Sequence, residues 1–369
     1  MLALVTVLLL LAGLLYSPRL VRGTVRLSAD QPRLFPGRKG QGALELRLHS
    51  LLPVYVRLER EGQSSLSLLP GGLRGLAWGE FRFSEPLEYS PRYRGEHQLP
   101  RVRVFVKDLL GLLEHELSLP QERLSVLVYP EAFPLNSPAF RLTLLADGPE
   151  AAGGLEDPSR FAGVREYAPG DPLHRLHWKA TARQGRPMVR EYARVKSSGV
   201  WLHLDLQGQG KLGEVYAEHA ASLATSLLLA AERDGLAFGL SVGGLEIGLG
   251  RGTDHLARML QALALADPEA EPRAVPVPPP GVNLILVTQE ASSEVIEGAL
   301  RARARASRVH LIALPEGFYL RPGEGGRPVF GKTNGMLRLL KKKSLLEAEG
   351  VRVHILRGNQ NVATLSKPV

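Results

Sequence analysis

The chain contains no cysteine among its 369 residues. That absence excludes disulfide staples, zinc-thiolate sites, iron–sulfur clusters and cysteine nucleophiles together, and leaves only histidine and carboxylates to hold a metal. Lysine is scarce, ten of 46 basic residues. No serine stands in a nucleophile elbow or beside a His/Asp constellation. Charged residues make up 22% and hydrophobic residues 44%, the composition of a folding globular chain, long enough for two domains. The formal charge of +9 is spread out and lacks aromatic interleaving, which argues against a specific nucleic-acid surface. Its one block, Lys341-Lys342-Lys343, falls in a helical pattern and reads as a solvated face.

Residues 1–15 are almost wholly apolar and uncharged, and the segment ends at Ser17-Pro18. A full span needs about 20 residues and a secretory signal needs a positive start, so the stretch reads as a short membrane anchor over residues 1–18. Arg19, Arg22 and Arg26 follow, which predicts that the bulk of the chain lies in the cytoplasm.

Alternating apolar stretches at 24–27, 43–48, 54–58, 64–69, 80–83, 101–106 and 124–129 are separated by turn signals such as Pro36-Gly37 and Pro70-Gly71-Gly72. They predict an all-β, sandwich-like domain over 23–145. Gly, Ala, acidic and Pro residues at 146–158 mark a connector. Beyond it, strands at 200–206, 236–242, 282–288, 309–314 and 351–356 alternate with helices at 213–234, 254–266 (capped by Thr253), 293–306 and 334–349. That alternation predicts an α/β domain over 198–369, with an open, mostly parallel sheet and helices on both faces.

Ligands in such sheets bind beyond the carboxyl ends of the strands. Gly208-Gln209-Gly210-Lys211-Leu212-Gly213 is formally G-x-G-x-x-G, but the second strand runs into Ser241-Val242-Gly243-Gly244 without the acidic residue a dinucleotide ribose wants. The run from Gly248 to Gly252 reads as a tight strand-to-helix turn. The Asp205 loop is similar to the start of a von Willebrand factor A metal site, yet Gln207 and Gln209 replace its serines and Gln289 an aspartate, a poor set for Mg²⁺. Asp171, His174 and His177, with Glu166 and Glu191 nearby, allow an alternative reading as a metal-dependent hydrolase; Pro172 and Trp178 suit a packed turn equally well.

The densest segment runs from Arg165 to Glu191. Pro169-Gly170-Asp171 makes a turn, Arg165, Arg175, Arg183 and Arg190 offer rigid donor forks, and Trp178 a flat anchor. Such a set serves either an internal ion-pair network that staples two domains or a contact surface. On Arg165, Tyr167, Pro169, Gly170, Asp171, Trp178, Ala182 and Arg183 it resembles the signature of the domain-of-unknown-function family 58, with His174 at the usual Arg and His177 at the usual Asp or Asn. Arg94-Gly95, Leu99, Asp108, Gly111 and Leu112 are similar to that family's region before the signature. The resemblance implies a membrane-anchored protein with a β-sandwich and a von Willebrand factor A-like domain, working with a MoxR-type AAA+ ATPase, and supplies no catalytic residues. The expectation is therefore a non-enzymatic adapter without a cofactor or small-molecule substrate, 146–197 being connector and signature. Its contacts would be Arg165, Tyr167, Asp171, Arg175, Trp178 and Arg183.

Overall fold

The computed structural model describes residues 1–15, 20–61, 66–68, 74–109, 111, 113–135, 156–169, 171–194, 199–208, 213–270, 274–321, 324–326 and 334–362. The expected turn at Pro70-Gly71-Gly72, residues 146–155 of the connector expected at 146–158, Gly170, Leu112, and Gln209 to Leu212 lie outside the described residues, and the last three residues of that connector are strand. Two compact units result, Met1–Glu131 and Ala132–Val369.

The first unit opens with helix α1 (Leu2–Leu15). At 1.5 Å per residue it is about 21 Å long, and no described helix is long and apolar enough to cross a membrane. Strands β1 (Val21–Ala29), β2 (Arg33–Leu34), β3 (Gly40–Glu61), β4 (Leu66–Leu68), β5 (Arg74–Pro91), β6 (Gly95–Gln98), β7 (Arg101–Lys107), β8 (Glu114–Leu117) and β9 (Ser125–Val128) follow. They form one sheet in the order β4-β5-β3-β7-β8, with β1 also on β3, and a second in the order β2-β9-β6. The inward parity of β3 and β5 carries Leu44, Leu46, Leu48, Val54, Val56 and Ala77 into one core with Val104, Val106 and Leu117. The two runs expected at 43–48 and 54–58 are a single strand, β3. A register irregularity between Ser50 and Val54 lets the chain pass the Leu51-Leu52-Pro53 stretch without breaking the pairing to β5.

The second unit carries a two-stranded sheet, β10 (Glu156–Glu166) with β11 (Met188–Arg194), and between them a short helix, α2 (Trp178–Gln184). Its main sheet has the order β14-β13-β12-β15-β16-β17, from β12 (Gly199–Leu204), β13 (Ala237–Val242), β14 (Leu245–Gly250), β15 (Val282–Thr288), β16 (Val309–Ala313) and β17 (Val351–Ile355). All neighbours are parallel except the edge strand β14 on β13. The strands β12, β15 and β16 are buried along their whole length, as expected of a sheet covered on both sides.

Helices α3 (Gly213–Arg233), α4 (Thr253–Leu265), α5 (Ser293–Arg303) and α6 (Asn334–Ala348) connect these strands. Leu284, Leu286, Val309, Leu311, Val351 and Val353 meet Ile296, Ala299 and Ala302 of α5 and Leu339 and Leu346 of α6. The opposite parity faces α3, which is buried on nearly every side because Ala217, Ala220, Ala221 and Ala224 let it approach the sheet closely. Phe133 and Tyr319 roof that helix: the Phe133 amide donates to Ser226 Oγ at 3.0 Å, and Tyr319 donates to the His219 carbonyl at 3.0 Å.

Two local expectations change. The stretch expected as a turn from Gly248 is strand β14 as far as Gly250, and the turn is confined to Arg251 and Gly252. Thr253 is the first helical residue of α4, not its cap. The chain leaving β14 needs a positive φ at the cap (87°), which Gly252 supplies without a side-chain bond.

Candidate functional site

The signature segment folds as a closed hairpin insert. Pairing of Val164 with Arg190, Arg165 with Val189 and Glu166 with Met188 sets the stem. Above it the Tyr167 amide donates to the Pro187 carbonyl and the Asp171 amide to the Ala168 carbonyl, each at 3.0 Å, so the Pro169 turn is pinned at both sides. A single 3₁₀ turn, Leu173–Arg175, leads to His177, whose Nδ1 accepts the Ala180 amide at 3.1 Å and caps α2. Gly185, at φ 66°, ends that helix, and Thr181 Oγ1 accepts the Met188 amide at 3.0 Å, tying α2 to β11.

The electrostatic centre of the insert is Arg165 with Asp171. Two guanidinium nitrogens donate to the two carboxylate oxygens at 2.7 and 2.6 Å, and the Ala168 amide adds a third bond at 2.9 Å. The Arg165 hydrogen bonds, with that amide, hold the Asp171 carboxyl down at about 2. Asp171 therefore stays ionised with both oxygens occupied. Arg186 pairs with Glu166 at 3.1 Å. These pairs are internal braces.

What the braces leave outward is apolar and basic. Trp178 is 72% exposed, Leu173 69% and Phe161 58%. Arg183, Lys179 and Arg190 of the same segment are exposed too, while Tyr167 and Arg175 are half-buried. Of the six residues expected to meet a partner, Arg165 and Asp171 hold the insert together, and Trp178 and Arg183 are available at its surface. Leu173 in the 3₁₀ turn and Phe161 in β10 are exposed too and were missed, because a lone apolar residue among polar neighbours carries no periodicity. The Asp171, His174 and His177 set is dispersed in role: Asp171 is committed to Arg165, His177 caps α2, and His174 is exposed. Among the described residues no three His, Asp or Glu side chains are grouped so as to hold a metal ion.

A second candidate lies where the strand order reverses, between β12 and β15. Asp205 follows β12; its Oδ2 accepts the Thr288 hydroxyl at 2.9 Å and its Oδ1 the Gln207 amide at 3.1 Å. Burial pushes its carboxyl upward against those two bonds. Asp205 and Gln207 border a cleft of about 690 Å³ that also receives Asp267, Glu290, Glu294 and Arg301. Gln289 is buried. A Cβ at Gly208 would sit 2.3 Å from the Gly213 Cα, so the two outer glycines of the formal G-x-G-x-x-G serve loop closure against the start of α3.

"Uncharacterized protein YeaD" of Bacillus subtilis is 28% identical over 252 residues, 65% of this chain and 62% of the relative's own length. Among solved structures, the CARDB domain of the PF1109 protein from Pyrococcus furiosus shares 11% identity over 30% of this chain and 94% of that one, at a TM-score of 0.22. The ASH / PapD-like domain of human CEP192 shares 16% over 28% of this chain and 82% of that one, at 0.20. Likenesses of that size carry no argument. Residues 163–277, which hold the whole signature insert and continue through β12, β13, β14 and α4, match the family described as "Protein of unknown function DUF58", the family that the signature residues resemble.

Proposed function

We propose that this chain is a non-enzymatic adapter, attached to a membrane through α1, that engages a MoxR-type AAA+ ATPase through the outward face of its signature insert. In this reading the α/β unit is von Willebrand factor A-like, which the parallel order with one antiparallel edge strand supports. The observation that carries the proposal is Trp178: a large aromatic 72% exposed on a helix fixed at both ends, in a segment where Arg183, Lys179 and Leu173 are exposed as well. Rigid aromatic and arginine anchors are the residues that concentrate binding energy at protein interfaces. A side chain that merely stapled two domains would be covered. The Arg165–Asp171 brace keeps the anchor in place before the partner arrives, which lowers the ordering cost of association.

The test is a pull-down from native membranes with the detergent-solubilised full chain as bait, with and without nucleotide, compared with Trp178→Ala. Recovery of an AAA+ ATPase by the wild type and its loss in the variant, at unchanged melting temperature, supports the adapter reading. Failure to recover such an ATPase under either nucleotide condition overturns it.

A further inference from the structure

The outward face of the larger sheet in the first unit breaks the rule that one side of an antiparallel sheet is polar. Pairing aligns Leu76, Tyr55 and Lys107 in one row across β5, β3 and β7, and Arg74, Arg57 and Phe105 in the next. Trp78 lies two residues along β5 from Leu76, on the same side. The opposite parity, Val54, Val56 and Ala77, is already in the core. Leu51, Tyr55, Leu76 and Trp78 are thus surplus to folding, and they are 65, 49, 52 and 71% exposed. A contiguous patch of this kind calls for something to cover it.

We infer that this patch is a lipid-docking face that lies on an anionic bilayer surface beside the inserted α1. The inference rests on reading α1 as membrane-inserted and adds a second contact to it. Three observations favour lipid over a protein. Tryptophan and tyrosine with leucine are the side chains that settle at the headgroup boundary, apolar body inward and polar edge in water. Basic residues flank the patch on both sides: Lys107 and Arg74 on one, Arg22, Arg47 and Arg82 on the other, the last three bordering a shallow groove of about 390 Å³. Glu45 and Glu80 approach Arg47 and Arg82 only at 3.5 Å and in the open.

The third observation is position. Val21, Ser50 and Gly79 share one row across β1, β3 and β5, so the chain coming from α1 enters the sheet one residue from both Leu51 and Trp78. The five steps along the chain from Leu15 to Leu20 span at most about 18 Å, which keeps the end of α1 near the patch whatever path they take. Helix α1 is about 21 Å long against a hydrocarbon core of about 30 Å, and its Leu4, Val5, Val7, Leu8 and Leu11 are exposed. Attachment by one short segment gains from a second contact on the same body.

The experiment uses the full chain with phosphatidylcholine vesicles, with and without phosphatidylglycerol, in a Trp178→Phe background. Trp201 is buried, so Trp78 is then the exposed fluorophore. Vesicles carrying brominated acyl chains should quench and blue-shift Trp78, more strongly when phosphatidylglycerol is present. Tyr55→Glu with Leu76→Glu should abolish the quenching and weaken flotation with anionic vesicles about ten- to a hundredfold. Flotation with unquenched Trp78 overturns the docking face and leaves the α1 anchor standing. Absence of flotation overturns both. Lipid-free self-association that the double variant removes would assign the patch to a second copy of the chain and refute the lipid reading.

Discussion

Acid should destabilise the α/β unit through a pair of buried histidines, and the size of the effect follows from their burial. Register places His310 of β16 opposite Arg352 and His354 of β17 opposite Ile312, so both imidazoles stand on one face. The rings stack at 5.4 Å, with His310 Nδ1 and His354 Nε2 at 3.1 Å. Burial lowers both; beyond it, His310 feels His354, Arg352 and Arg308, and His354, brought to about 4, feels Arg352 and Lys343. Each histidine takes up its proton more readily in the unfolded chain, near 6.5, than in the folded one. Stability is therefore fully present above about pH 6.5 and falls as the pH drops through the folded values. A change from 6.5 to about 4 is on the order of 3 kcal/mol for His354 at 1.36 kcal/mol per unit, and His310 acts in the same direction. Denaturant unfolding of the full chain in mild detergent between pH 7 and about 4.5 measures the slope. His354→Phe should flatten it whatever that substitution does to absolute stability. A wild-type slope of zero or opposite sign, or an unchanged slope in His354→Phe, refutes the reasoning.

Other outcomes test other parts of the structure. Trp178→Ala should leave thermal melting within the small range usual for exposed sites, because the indole covers almost nothing; a drop of several degrees would show that it does. Asp171→Asn should release Arg165 and speed proteolytic cleavage of the 167–176 turn, with little effect on the main sheet. The Asp171 contribution, its carboxyl lowered from 3.8 to about 2, is complete above about pH 4 to 5 and is lost as pH falls toward 2, so it begins to fall only where the His354 contribution is nearly gone. In Gly298→Ala the new Cβ would lie 2.5 Å from the Val275 Cβ, so unfolding free energy should fall by about 1–3 kcal/mol, measured by urea denaturation.

Much of the α/β unit was legible because its central strands are continuous apolar runs and its helices carry clear periodicity. Strand β14 was not: Leu245-Glu246-Ile247-Gly248-Leu249-Gly250 puts glycine where a strand would show side chains, and an edge strand needs only one covered face. The length of β3 was hidden by Leu51-Leu52-Pro53, which looks like an interruption until pairing with β5 is seen to resume at Val54. The same irregularity concealed the outward patch, since Tyr55 and Val56 are both apolar and only pairing assigns them to opposite faces. In the signature, composition identified the braces and the anchor without saying which was which. A seven-residue helix is too short for periodicity to assign a buried side, so the exposure of Trp178 had to come from three dimensions.

The contact with an AAA+ ATPase proposed for Trp178 is open to a direct test. A photo-crosslinking amino acid placed at position 178 of the full chain, irradiated in native membranes and compared with the same group at exposed Lys341, reports the contact directly. The expected result is an adduct from position 178 that contains a MoxR-type ATPase and is missing from position 341. Absence of that adduct at position 178, or an equal yield from both positions, contradicts it.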